Sequence, residues 1–255
     1  MSGGRARPRL TLLQLLFIVA AVAVVAWTIS FFRNVLEAWK TADTSAQPRQ
    51  MVLSLKMYAT EQHGDIFPPL DPRPGHLMFD SQGVYPAYLR TPWLFASPTD
   101  EKSVKLLKTM DESDVEGSRQ YIGDQSYIYL GYMLTTEAEG LAFVDAYRRQ
   151  AELGAGFDAD LPVASGRGSA GTDTLYRFRS HQIDIEAFLT EHGAPKPVAA
   201  SRIPVIIERP GHHRHNPGVW VAFLDGRCEL ITYPGKFPMT KKFIEALESL
   251  DALEP

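Results

Sequence analysis

Between Leu10 and Phe32 the chain runs for 23 residues, "LTLLQLLFIVAAVAVVAWTISFF", without one charged side chain. At 1.5 Å per residue a helix of that length reaches about 34 Å, against roughly 30 Å for a bilayer core. A soluble helix normally keeps a polar stripe, and here only Thr11, Gln14, Thr28 and Ser30 are polar. The run therefore predicts a transmembrane helix over 10–32. It is longer than a signal-peptide core, and bulky Trp27, Phe31 and Phe32 replace a small-residue cleavage site, so an uncleaved anchor is expected. Arg5, Arg7 and Arg9 precede the run, whereas only Arg33 and Lys40 follow it closely, which predicts a cytoplasmic N-terminus over residues 1–9. The expected location is the inner (cytoplasmic) membrane, single-pass, with the bilayer as a partner and the main domain periplasmic.

The remainder reads as α+β. Residues 33–64 have helical spacing (Leu36, Trp39; Met51, Val52, Leu55, Tyr58) and predict a stalk, with Pro48 kinking or restarting it and Gly64 stopping it. A head is expected over 65–255. It begins with a Pro-rich ordered loop, 65–100, held by Phe67, Leu70, Phe79, Tyr85, Tyr88 and Trp93. A strand over 126–134, a helix capped by Thr135 or Thr136 with Glu139, and a further helix over 172–191 follow. Three short strands ("IPVIIE", "GVWVAFL", "CELITY") and an amphipathic helix bearing Phe243, Ile244, Leu247 and Leu250 close the chain. The acidic "DESDVEG" of 111–117 reads as a solvated loop.

Net charge is −4, so nothing in the overall composition points to nucleic acid, which would need a basic surface. Cys228 is the only cysteine, so no disulfide forms within the chain, and its place in a strand predicts a small packing residue instead of a nucleophile. "GRGSAG" (166–171) matches G-x-G-x-x-G but lacks a strong preceding strand and reads as a loop, not a dinucleotide site. The metal candidates are His212, His213 and His215. Adjacent residues of an extended chain point to opposite sides, so only His213 and His215 share one, and a further ligand would come from His63, His76 or His181. A polar loop leading into a hairpin is the simpler reading. Asp225-Gly226 between two apolar runs predicts a two-residue type I′ turn with positive φ at both positions.

His215, nine residues, then Asp225-Gly226, together with "VAFLDGRCELITYPGKFP", resembles the ending of pilin-like (pseudopilin-type) proteins abundant in planctomycetes. "LSLKMYATEQHGDIFPPL" and "SYIYLGYMLTTEAEGLAFVDAY" are similar to two other segments of that group, and "GTDTLYRFR" to a fourth. The resemblance implies a hydrophobic N-terminal helix, a pilin-like α+β head with a small antiparallel sheet, and a structural or interaction role beside other pilin-like or secretion-system subunits. It implies no enzymatic activity and no cofactor. Two departures matter: Arg9 replaces the Gly that precedes the cleaved bond (Leu10 following it), and Gln14 replaces the family's Glu. Both count against processing and filament assembly. Ser97-Pro98-Thr99-Asp100 stands where the group carries C-P-S-D. The rival expectation is a tethered periplasmic enzyme or metal protein built on His212, His213 and His215.

Overall fold

The computed structural model describes residues 19–32, 45–62, 64–111, 113–180, 182–211 and 218–253. By compactness the chain divides into Met1–Asp43 and Thr44–Pro255. Within the first unit the described residues form one helix, α1 (residues 19–32).

That helix overturns the expected membrane span. Among the described residues no helix is long and apolar enough to cross a membrane. The transmembrane element of the expected fold, and the single-pass inner-membrane location built on it, are corrected on that ground. The family's anchor positions Arg9, Leu10 and Gln14 lie outside the described residues.

The second unit is α+β and rests on a four-stranded antiparallel sheet. Its strands are β1 (Tyr127–Tyr129), β4 (Pro204–Glu208), β5 (Gly218–Phe223) and β6 (Cys228–Thr232), in the spatial order β1-β4-β5-β6. β4 is wholly buried and β5 nearly so, which explains their continuous apolar runs: both faces are covered. Helix α2 (Ala46–Gln62) packs across β4 and β5. Pro48 lies in its first turn, where a missing N–H costs nothing, and Gly64 at φ +60° ends it. Met51, Val52, Leu55 and Ala59 are fully buried, so this helix belongs to the core of the head.

Two short helices, α3 (Glu101–Leu107) and α4 (Val115–Ser118), follow the Pro-rich loop, each capped by an aspartate. Thr136 caps α5 (Glu137–Leu153) by accepting from the Glu139 N–H, while the Glu139 carboxylate takes the Thr135 N–H at 2.6 Å, a reciprocal N-terminal lock. α5 packs on α7 (Lys241–Glu248), whose Phe243, Ile244 and Leu247 are fully buried, as is Leu250 just beyond it. Gly140 makes the approach possible: a Cβ there would stand 2.6 Å from Phe243 Cε2.

Two elements come out shorter than their sequence pattern. The strand expected over 126–134 stops at Tyr129 because Gly131 takes φ +73°, against Leu70. The helix expected over 172–191 begins only at α6 (Ile185–Glu191), capped by Asp184. Before it the chain is extended: β3 (Thr174–Leu175) pairs with β2 (Leu161–Pro162), then Arg177 bridges to Tyr132 and Arg179 to Ile66. The Arg177 guanidinium is buried and donates to the carbonyls of Asp158 (2.6 Å) and Phe67. These tertiary partners outweigh helix propensity.

The hairpin between β5 and β6 also departs from expectation. Gly226 has φ +95°, but Asp225 is not among the positive-φ residues. The Gly226 N–H donates to Phe223 O and the Phe223 N–H to Arg227 O, both at 2.8 Å, enclosing a three-residue loop, Leu224–Gly226. Leu224 stays with the sheet because it is buried and its N–H donates to Ile203 O at 2.9 Å. The turn is therefore the three-residue kind with a left-handed glycine, not the type I′ pair. A Cβ on Gly226 would meet nothing closer than Lys56 Nζ at 3.7 Å, so substitution there is strained by the backbone alone. Gly226→Val is expected to destabilise the head by about 1–3 kcal/mol in denaturant melts, with the slope unchanged.

Candidate functional site

A group of buried polar side chains gathers where β4 ends. Glu208 closes an otherwise apolar strand and is fully buried. Its Oε1 accepts from the Ser97 hydroxyl at 2.8 Å and its Oε2 from the Trp220 backbone N–H at 3.0 Å. The register sets Tyr127 of β1 beside it. Burial, reinforced by the Glu208 charge, pushes the Tyr127 phenol well above its ordinary value, and the neutral hydroxyl donates to Gln47 Oε1 at 2.7 Å.

Ser97 opens the segment Ser97-Pro98-Thr99-Asp100, and Asp100 supplies a second buried carboxylate. It caps α3 through the Lys102 and Ser103 N–H groups and accepts from the hydroxyls of Ser103 (2.5 Å) and Ser126 (2.8 Å). One tetrapeptide thus fastens the Pro-rich loop to both β1 and β4. On the far side of the same strand ends, Arg209 donates to Asp124 at 2.6 Å and to Asp251 at 3.1 Å, while the Leu77 N–H also donates to Asp124.

Chemically, this cluster is closed. A serine hydroxyl held on a carboxylate has the outline of an activated nucleophile, but Ser97 and Glu208 are both 0% exposed. No substrate atom reaches either without unfolding the sheet end. Ser169, within "GRGSAG", is equally buried, donating to Met133 O and accepting from the Tyr176 N–H. That run is the β2–β3 connection. A Cβ on Gly168 would stand 2.4 Å from the Thr174 backbone, so the glycine serves chain approach and not a phosphate.

Of the sequence-derived positions, Asp225 and Gly226 form the hairpin tip. Asp225 Oδ1 accepts from the Arg227 N–H at 2.9 Å, and its charge faces Lys56 on α2. His212, His213 and His215 lie outside the described residues, as do His63 and His181; His76 is half-buried in the Pro-rich loop. Among the described residues no group of three or more His, Cys, Asp or Glu side chains could hold a metal ion. Cys228 is half-buried at the start of β6, where burial pushes its thiol up to about 11. Glu208 was not singled out from sequence, and Asp100 only as the end of the Ser97-Pro98-Thr99-Asp100 segment. An acid closing "IPVII" and an aspartate before a helical run were the available signals, and neither reveals that its carboxylate is buried.

The chain matches no family model, no curated protein and no solved structure.

Two expectations follow from this geometry. Removing a hydrogen bond from a buried carboxylate costs about 1.5–3 kcal/mol, so Ser97→Ala is expected to destabilise by that amount. In a double-mutant cycle with Glu208→Gln the two changes should be strongly non-additive; additivity would mean that the pair does not interact. Cys228, raised from its ordinary value of 9.0 to about 11, holds far less thiolate in the folded chain than when unfolded. Alkylation at pH 8 should therefore be about 100-fold slower in the native protein than in denaturant, rising with pH up to that value.

Proposed function

We propose that this chain is a non-enzymatic, pilin-like structural or interaction protein acting beside secretion-system or pilus-type subunits. The observation that carries the reading is the fate of the polar residues. The buried carboxylates Glu208 and Asp100, their hydroxyl donors, and the Asp225-Gly226 tip are occupied in holding strands, loop and helix together. A helix laid across a small antiparallel sheet accords with the architecture that the resemblance implies.

The rival is a metal protein or enzyme using His212, His213 and His215. Deleting the gene in its native host is expected to impair protein secretion or pilus-type assembly, and the chain carrying His213→Ala should restore it. Unaltered secretion and assembly in the deletion strain would refute the proposal. A stoichiometric metal in the purified chain, lost with His213→Ala together with the complementing activity, would establish the rival.

A further inference from the structure

The two edges of the four-stranded sheet are finished differently. At the β1 edge the Tyr129 N–H donates to Leu77 O at 2.8 Å, so the Pro-rich loop covers that side. Among the described residues the β6 edge has no such cover. Within β5, the Phe223 N–H points to β6, whereas the N–H groups of Trp220 and Leu224 point to the β4 side. Backbone direction alternates along an antiparallel strand. In the observed register (Val221 with Glu229, Ala222 with Cys228), the N–H and C=O of Cys228 and Leu230 are therefore turned outward. Among the described residues no hydrogen bond reaches these backbone groups. Unsatisfied strand edges pair readily with another strand.

The side chains around this edge complement themselves. Arg227 and Glu229 are two residues apart, on the face opposite Cys228 and Leu230. Glu229 accepts from Arg227 at 2.5 Å and from Lys236 at 2.6 Å. On the α2 face, Leu53 and Leu230 are left 49% and 36% exposed, although both are large apolar residues. A Cβ built on Gly226 would meet only side-chain ends at contact distance, Lys56 Nζ at 3.7 Å and Leu53 Cδ2 at 4.0 Å. Farther along, Gly235 folds over the Thr232 carbonyl, 2.3 Å from a built Cβ, and closes the strand's end to a partner.

We propose that β6 pairs antiparallel with β6 of a second copy of this chain, about a two-fold axis at Cys228. That register sets Arg227 of each copy opposite Glu229 of the other, an opposite-charge cross-strand pair on both sides of the axis. It also sets Leu230 of each copy over Gly226 of the other, where it covers Leu53. The two sheets become one continuous eight-stranded sheet with protected β1 strands at its rims. The same interface closed on itself is isologous, so assembly stops at the dimer. This inference deepens the interaction reading above by naming a partner, and it rests on that reading.

Sedimentation of the purified full chain is expected to show a monomer–dimer equilibrium at concentrations up to about 100 µM. Arg227→Glu or Glu229→Arg alone places like charges opposite each other and should weaken the dimer about tenfold or more. Mixing the two single variants should restore dimers, because each then meets its complement. Amide exchange at Cys228 and Leu230 in the unaltered chain should slow as concentration rises, a readout that needs no variant to fold. A chain that stays monomeric throughout, a dimer indifferent to both substitutions, or edge amides whose exchange ignores concentration would each overturn the proposal. Any of these outcomes leaves the secretion phenotype of the deletion strain as a separate question.

Discussion

Everything around the sheet end depends on the burial of the Glu208 carboxylate. A charge withdrawn from water is tolerated only when hydrogen bonds replace its hydration. Ser97 and the Trp220 N–H supply two of them from chain segments far apart in sequence. The same requirement recurs one strand away, where Asp100 accepts from Ser126 and caps α3. These bonds are directional, whereas the apolar contacts beneath them are not. They help set the position of a Pro-rich loop whose own backbone pairing is a single bridge, Leu70 to Phe79.

The core on which this depends is layered simply. α2 covers β4 and β5, and α5 and α7 pack on each other across the gap that Gly140 leaves for Phe243. Aromatic contacts join the loop to the sheet: Phe79 and Phe178 both meet the Tyr129 ring, and Phe67 meets Phe178. Tyr129, fully buried, donates its hydroxyl to Pro68 O at 2.9 Å, and Tyr132 donates to Ala159 O at 3.0 Å. Large tyrosines thus fill volume while their polar ends hold loop carbonyls that have no other regular partner. Such a fold devotes its buried polar groups to internal order.

Much of this was legible in the sequence, and the reason is local. The N-terminal signature around Thr136 and Glu139, the stop at Gly64 and the spacing of Phe243, Ile244 and Leu247 each involve residues within one or two turns of one another. The runs "IPVIIE" and "GVWVAF" are apolar on both faces, so strand identity and burial on both faces could be read together. The Asp-Gly hairpin was visible as a turn but not as the right turn. Whether the loop holds two residues or three was decided by Leu224, which stays in the sheet because Ile203 and the core hold it there.

The sequence by itself determined where the helix after Thr136 begins, which strands are buried, and that the chain would be α+β, because propensity, capping and periodicity act over a few residues. It also displayed an apolar run long enough to suggest a membrane span, an expectation that the described helix of residues 19–32 does not meet. Only the tertiary structure decided that residues 174–179 are extended, that Ser97 belongs to Glu208 and Asp100 to Ser126, and that the Pro-rich loop covers the β1 edge of the sheet. Each of those outcomes depends on partners from 12 to more than 100 positions away. The cost of burying an unpaired charge or an unpaired backbone group is set by those distant partners, and no local pattern records it.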